Sequence, residues 1–172
     1  MKKAFWQETG FSLIELILII SLLGIVLAVT TVNLFRPVTK AKVEAVSSDI
    51  HSLLREAQNK AMNSDTGGGS QSDQFGVHFK NDKYILFKGS DYDSGDSSNL
   101  VVDLPQNITI TSTLPCPSPP GSCNNIVFQR LSGEVAGFDA SNNSVCVTDT
   151  GNNQSRLINV NPLGVVDVQD GC

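Results

Sequence analysis

The first change in the pattern of hydrophobic and polar positions comes at residue 11. From Phe11 to Val29 the chain is aliphatic, and only four residues interrupt the run: Ser12, Glu15, Ser21 and Gly24. Nineteen residues in a helix extend about 28 Å at roughly 1.5 Å per residue, which matches the hydrocarbon core of a bilayer. The pattern therefore predicts a membrane-spanning helix.

Beyond Pro37 the pattern becomes amphipathic. Apolar residues recur at three- and four-residue spacing, and charged or hydroxyl residues occupy the other faces. The apolar set is Val46, Ile50, Leu53, Leu54, Ala57 and Ala61, and the polar set is Lys42, Ser47, Ser48, Asp49, Arg55, Glu56 and Lys60. We expect a second helical half that continues the first, with a kink at Pro37 and an end near Asn63, before the flexible TGGGSQS stretch.

After residue 65 the helical period gives way to short runs rich in Val, Ile, Phe and Thr. Turn-forming Gly, Asn, Asp, Ser and Pro separate these runs, as in antiparallel hairpins and meanders. The predicted strands are FGVHF, YILF, LVVDL, ITITST, NIVFQRL, EVAGFDA, SVCVTD, SRLINV and GVVDV. A helix with one apolar face can cover such a sheet, so the fold class is α+β: a long N-terminal helix packed against an antiparallel β-sheet domain.

The residues at the start of the chain predict its orientation in the membrane. Lys2 and Lys3 precede the apolar run, which places the N-terminus in the cytoplasm and the bulk of the chain outside. The run is longer than the core of a secretory signal, and helix-compatible sequence follows it directly. We therefore predict four segments: 1–10, 11–36 as the spanning helix, 37–64 as the amphipathic helix, and 65–172 as a β-rich domain.

Charge is unevenly distributed. The chain has 12 basic and 17 acidic residues, for a net charge of -5, and residues 65–172 carry 12 acidic and 5 basic residues, or -7. A nucleic-acid surface needs clustered Lys and Arg to displace counterions from phosphates. This balance argues against a general nucleic-acid partner.

All four cysteines lie in the C-terminal half, without the CxxC spacing of a zinc knuckle or thioredoxin-type site, and the lone histidines His51 and His78 complete no metal set. An even number of cysteines behind a membrane-targeting segment indicates two disulfides in an oxidising compartment. Three pairings are possible. We favour Cys116 with Cys123, across the CPSPPGSC loop, and Cys146 with Cys172.

The motif GFSLIEL, with its short basic leader, resembles the leader junction of type IV pilins and type II secretion pseudopilins. The resemblance implies that residues 1–10 are a leader, that a prepilin peptidase cuts between Gly10 and Phe11, and that the new amino group of Phe11 is methylated. It also implies a pilin-like fold, other pilin or pseudopilin subunits as partners, and no cofactor.

The same resemblance gives Glu15 a role in assembly. As the fifth residue after the cut, its carboxylate would pair with the methylated amino terminus of Phe11 in a neighbouring subunit, which neutralises both charges inside an apolar bundle. The alternative is a glutamate that snorkels to the headgroups near the membrane edge.

The order of the remaining runs, from FGVHF to RLINVNPLGVV, is similar to the pseudopilin H and FimT-type minor pilin group. Some FimT-type proteins bind DNA through an arginine-bearing C-terminal region. Here the corresponding stretch offers only Arg156 and ends in VVDVQDGC, which argues against that activity.

Three further features have weaker meanings. The DYDSGD loop brings together Asp91, Asp93 and Asp96 as weak calcium candidates, but it lacks the EF-hand spacing and an acidic surface turn is the favoured interpretation. Gly24 and Ala28 have the small-xxx-small spacing that permits close helix approach. No nucleophile motif accompanies the histidines, so nothing supports an enzyme.

These expectations converge on a structural subunit. The chain would enter the inner membrane once, with its bulk in the periplasm or outside the cell, and then join a pilus or pseudopilus. A DNA-uptake or adhesive minor pilin whose β domain binds a ligand is the alternative, and a membrane-anchored enzyme is a third hypothesis that lacks a catalytic constellation.

Overall fold

The computed structural model describes residues 12–63, 73–114 and 124–172, except for the side chains of Val29 and of residues 31–40. Contacts divide the chain into two compact units, Met1–Val38 and Thr39–Cys172. One helix, α1, runs from Leu13 to Met62 and belongs to both units. Its predicted end near Asn63 is confirmed, whereas the predicted kink at Pro37 falls where side chains are not described.

The second half of α1 supplies the helical part of the core. A single stripe is buried against the sheets: Val43, Val46, Ile50, Leu53, Leu54, Ala57 and Ala61. This confirms the apolar face predicted from the three- and four-residue spacing. Ser47, predicted on a polar face, is instead only 2% exposed. Its hydroxyl donates to the carbonyl oxygen of Val43 (2.8 Å), so the helix itself satisfies the buried group.

In the described part of the chain, eight strands follow the helix. They are β1 (Phe75–Phe79), β2 (Lys83–Lys88), β3 (Leu100–Asp103), β4 (Ile108–Thr113), β5 (Asn125–Phe128), β6 (Ser144–Asp149), β7 (Gln154–Val160) and β8 (Val166–Asp170). They form two antiparallel four-stranded sheets, in the orders β3-β2-β1-β5 and β4-β6-β7-β8. Both sheets contribute apolar side chains to the core beneath α1, so the predicted α+β fold is confirmed.

One predicted strand is wrong. Residues 134–140, read as a strand from EVAGFDA, form turns with only isolated bridges from Val135 to Phe128 and from Asp139 to Asn142. Gly137 has a φ of +62°, a left-handed conformation that interrupts an extended run. The apolar position in this run is explained by Val135, which is buried, although none of the described strands extends its single bridge into a ladder.

Gly76 on β1 is required by the register of the first sheet. It pairs with Phe87 on β2, whose ring covers the glycine. A Cβ atom at position 76 would lie 2.7 Å from that ring and 2.6 Å from the carbonyl oxygen of Ile126. Any residue larger than glycine would fit at position 76 only if the strand backbone moved. Gly76 and Phe87 therefore pack together as a cross-strand pair.

Gln58 joins the end of α1 to two loops of the domain. Its side-chain Nε2 donates to the carbonyl oxygens of Gly133 (2.9 Å) and Leu163 (2.8 Å). The backbone N–H of Leu131 also donates to the carbonyl oxygen of Ala61 (3.0 Å), one of the acceptors left open at a helix C-terminus. The helix end is therefore fixed by directional contacts as well as by the apolar stripe.

The C-terminus is covalently attached to the second sheet. Cys146 on β6 and Cys172 form a disulfide, with their Cα atoms 6.0 Å apart, and this is the pairing that the sequence favours. The bond holds the residues that follow β8 beside β6. Cys116 and Cys123, the other favoured pair, lie outside the described residues.

Candidate functional site

The first unit presents a helical segment that is apolar on every side. We call residues 12–28 the apolar segment. Its twelve large aliphatic side chains are 47–77% exposed: Leu13, Ile14, Leu16, Ile17, Leu18, Ile19, Ile20, Leu22, Leu23, Ile25, Val26 and Leu27. A helix that is hydrophobic all round is normally buried in lipid or among other helices. The apolar segment is therefore the strongest candidate for a contact surface in the described part of the chain.

Two hydroxyl side chains in and next to the apolar segment are satisfied by the helix itself. The Ser21 hydroxyl donates to the carbonyl oxygen of Leu18 (2.9 Å). The Thr30 hydroxyl lies 3.0 Å from the carbonyl oxygens of both Val26 and Leu27. Hydroxyls bonded in this way need no water, so the segment can enter an apolar environment without an unsatisfied polar group at these positions.

Glu15 lies in the first turn of α1, where the helix begins in a capping arrangement. Ser12 precedes the first helical residue, and its Oγ accepts from the backbone N–H of Glu15 (3.3 Å). Ser12 and Glu15 have the S-x-x-E spacing of a capping box, and a carboxylate in the first turn also complements the helix dipole. This spacing is readable from the sequence, although the predictions above did not include a cap at Ser12.

The carboxylate of Glu15 is exposed and has no ion-pair partner among residues 12–63, 73–114 and 124–172. Gly10 and Phe11, the two residues of the predicted cleavage site, lie outside the described residues. The pairing of Glu15 with the amino terminus of another subunit therefore remains a prediction.

Among the described residues, no stretch of helix is both long enough and apolar enough to cross a membrane. The structure therefore does not support the predicted membrane span.

Gly24, one of the two small residues in the apolar segment, leaves an open surface. A Cβ atom at Gly24 would meet no atom within 4 Å. Ala28, four residues later, is exposed. The pair would allow another helix to approach closely.

The acidic loop uses its carboxylates to form turns. The backbone N–H of Gly95 donates to Asp93 Oδ1 (2.8 Å), and that of Ser98 donates to Asp96 Oδ1 (2.8 Å). The bond from Ser98 lowers the pKa of Asp96 because it stabilises the ionised form. Asp91 accepts from the hydroxyl of Ser90 (3.3 Å). Within the described ranges, no three His, Cys, Asp or Glu residues are arranged to hold a metal ion.

His78 on β1 anchors this loop to the first sheet. Its ring stacks on Tyr92, with centroids 4.1 Å apart and planes within 7°, and its Nδ1 lies 2.5 Å from Asn125 Oδ1. The Nζ of Lys80 lies 5.4 Å from the centroid of the Tyr92 ring. Burial lowers the pKa of His78, and the positive charge of Lys80 adds to this effect, against a smaller rise from the Asn125 hydrogen bond.

The lowered pKa of His78 predicts a loss of stability in mild acid. In the unfolded chain His78 takes up a proton near pH 6.5, whereas in the folded chain it does so only at a lower pH. The free energy of unfolding is therefore highest above pH 6.5 and falls as the pH drops below that value. We expect His78→Phe, which keeps a ring for Tyr92 to stack on, to show a smaller decrease in Tm between pH 7.5 and 5.5. The matched control is His51→Gln, and an undiminished decrease in His78→Phe would contradict the assignment.

Arg156, the one arginine in the C-terminal stretch, forms ion pairs with two carboxylates. Its NH1 lies 3.2 Å from Asp170 Oδ1 on β8, and its NH2 lies 3.6 Å from Glu44 Oε1 on α1. Its side chain is only 19% exposed. The guanidinium therefore links the helix, β7 and β8, and its charge is balanced within the domain. This is consistent with the expectation that the stretch does not offer a phosphate-binding arginine.

A scan against models of protein families and a search of curated protein sequences each gave no match. Among solved structures, the chain is similar to the minor pseudopilin EpsH of the type 2 secretion system of Vibrio cholerae. The sequences are 13% identical, the TM-score is 0.50, and the alignment covers 75% of this chain and 97% of the EpsH chain. An N-terminal helix packed on two antiparallel sheets is thus shared at low sequence identity. The chain has the fold of a minor pseudopilin.

Proposed function

We propose that the chain is a structural minor pilin or pseudopilin of a type II secretion system or a type IV pilus. It is made as an inner-membrane precursor, cut between Gly10 and Phe11, methylated on Phe11 and assembled into a helical filament. The observation that carries the proposal is the apolar segment, whose large side chains are all exposed on a chain with a minor pseudopilin fold.

Assembly would bury the apolar segment among the helices of neighbouring subunits. Complete burial of one Leu, Ile or Val side chain is worth about 1.5–3 kcal/mol relative to exposure in water. Twelve such side chains therefore make an aqueous state of the isolated helix costly. The bonded hydroxyls of Ser21 and Thr30 fit the same environment.

Glu15 would determine the axial position of the incoming subunit. Its carboxylate has no partner in its own described chain, and burial of an unpaired carboxylate costs several kcal/mol. The methylated amino group of Phe11 in a neighbouring subunit would neutralise it. Only helix alignments that bring the carboxylate and the amino group together avoid the cost of an unpaired buried charge. The pair would therefore select one axial offset between neighbouring helices.

The membrane stage of the proposal rests on the sequence alone. Residues 11–29 have the length and aliphatic composition of a spanning helix, and Lys2 and Lys3 favour a cytoplasmic N-terminus. In this proposal the leader is lost on the cytoplasmic side, the bulk of the chain lies in the periplasm, and the same helix later leaves the bilayer for the filament.

Processing is tested by the intact mass of the chain isolated from a cell that expresses a prepilin peptidase. We expect the wild-type chain to begin at Phe11 and to carry one added methyl group. Gly10→Val should retain residues 1–10, because a branched side chain obstructs the peptidase, while Ala4→Val serves as the control within the leader. A wild-type chain that keeps its leader in the presence of an active peptidase would refute this part of the proposal.

A further inference from the structure

Residues 169–172, which we call the C-terminal tail, bury no side chain in the domain. β8, where the tail begins, is an edge strand that pairs only with β7 among the described strands. Val166 is buried and Val168 packs against the core, so the first part of β8 is held by apolar contacts. All four residues of the tail are exposed. Burial of apolar surface therefore does not hold the tail in place.

Besides the ladder with β7, two noncovalent contacts reach the tail. The backbone N–H of Gly171 donates to the carbonyl oxygen of Ser155 (3.0 Å). The carboxylate of Asp170 lies 3.2 Å from Arg156, but its side chain is 77% exposed, and exposed ion pairs contribute little to stability. The disulfide from Cys172 is therefore the main restraint on the tail.

The two sulfurs of this disulfide have different surroundings. Cys172 is exposed, whereas Cys146 on β6 is partly buried. The Sγ of Cys146 lies 3.3 Å from the hydroxyl oxygen of Thr148. A disulfide sulfur carries no proton, so Thr148 is the donor in this contact. An attacking thiolate reaches the more accessible sulfur first, and a hydrogen bond stabilises the sulfur that leaves as a thiolate.

We propose that Cys172 is a thiol-exchange site and that the disulfide attaches the tail in a redox-dependent way. A thiolate of an external dithiol attacks the Sγ of Cys172, the S–S bond breaks, and Cys146 leaves as a thiolate that takes a proton from water. The second thiolate of the dithiol then displaces Cys172 from the mixed disulfide. The dithiol loses two electrons and becomes a disulfide, and the chain gains two thiols.

Reduction would release the tail and leave the rest of the domain folded. Asp170 would leave Arg156, which keeps its second partner, Glu44, at 3.6 Å. Val166 and Val168 would hold the first part of β8 on the core. The tail is then attached only where a disulfide oxidant is available to reverse the exchange. This device does not rest on the proposed function.

The site of attack is tested on the full chain in detergent micelles. Cys116→Ser combined with Cys123→Ser leaves Cys146 and Cys172 as the only cysteines. The chain is treated with excess glutathione, the free thiols are blocked with iodoacetamide, and the peptides are identified by mass spectrometry. We expect at least five times more glutathione on Cys172 than on Cys146 at early times.

Thr148→Val tests the role of the hydroxyl in the same background. Reduction by dithiothreitol should be about two- to fivefold slower, because the thiolate of Cys146 loses its hydrogen bond. Thr113→Val is the matched control, since the hydroxyl of Thr113 lies 2.8 Å from that of Ser144 instead, and it should leave the rate unchanged. Thermal melts check that each variant is folded.

Release of the tail is measured by amide hydrogen exchange, resolved by NMR. The N–H of Gly171 should exchange at least tenfold faster in the reduced chain and in Cys146→Ser combined with Cys172→Ser. The N–H of Val160, which donates to the carbonyl oxygen of Asn143 (3.0 Å), should keep its protection in both.

Four results would overturn the proposal: resistance of the disulfide to excess dithiothreitol, glutathione on Cys146 as often as on Cys172, equal reduction rates in Thr148→Val and the parent chain, or unchanged exchange of Gly171 after reduction. Loss of protection at Val160 together with Gly171 would also overturn it, because the domain would then unfold as a whole. Filament assembly enters none of these measurements, so the proposed function can fail while the exchange site stands.

Discussion

Glu15→Gln is expected to be cut and methylated normally, yet to enter filaments at least tenfold less well than the wild-type chain. Glutamine keeps the size of the side chain and its ability to cap the first turn of α1, so the helix start defined by Ser12 is preserved. It removes only the negative charge. The amino terminus of a neighbouring Phe11 would then be buried without a partner, and a broken buried pair costs about 3–5 kcal/mol.

The capping arrangement provides the matched control for this experiment. Ser12→Ala removes the hydroxyl that accepts from the Glu15 N–H but leaves the charge in place. Loss of such a cap costs about 1 kcal/mol, so Ser12→Ala should reduce incorporation far less than Glu15→Gln. Incorporation is measured as the fraction of the chain in sheared filaments relative to membranes. Normal incorporation of Glu15→Gln, with a defect in Ser12→Ala, would assign Glu15 to capping instead.

Phe128→Ala is expected to be the most destabilising single substitution considered in the domain, by about 3–5 kcal/mol. Phe128 has no exposed surface, and its ring belongs to the core shared by α1 and both sheets. The ring also lies against Gly164, where a Cβ atom would be 2.9 Å from it, so the surrounding backbone is already close and has little freedom to fill a cavity. Domains are stable by only about 5–15 kcal/mol, so a large share would be lost.

The measurement is thermal unfolding of the chain in mild detergent. A loss of this size should lower Tm by about 10 °C or more. Leu163→Ala is the control, because Leu163 is 62% exposed and exposed positions usually change stability by less than about 0.5 kcal/mol. Similar Tm values for Phe128→Ala and the wild-type chain would mean that the core is not organised around β5.

Most of the fold was predictable because its elements have strong periods. The stripe from Val46 to Ala61 has a helical repeat, and the runs FGVHF, ITITST and SVCVTD match β1, β4 and β6 residue for residue. The false strand at residues 134–140 had the same alternation, but its glycine adopts a left-handed backbone conformation that a pattern of apolar residues does not reveal. The alternation of apolar and polar residues alone cannot distinguish a strand from a turn that buries one apolar residue beside a strand.

The site was predictable only in part, since several of its contacts depend on distant residues. The polarity of Ser47 placed it on the surface, yet its hydroxyl is satisfied within the helix and the side chain is buried. The two partners of Arg156, Glu44 and Asp170, come from elements more than 100 residues apart in the chain, so its neutralisation could not be read locally.

The central claim is that the apolar segment packs against the helices of other subunits. It is tested most directly by a photo-crosslinking residue placed at Leu18, which is 63% exposed in the isolated chain. In purified filaments we expect crosslinks from position 18 to the N-terminal helix of a neighbouring pilin or pseudopilin subunit, identified by mass spectrometry. A chain that is processed and abundant in membranes, but that crosslinks at position 18 only to lipid and never to a subunit helix, would contradict the account.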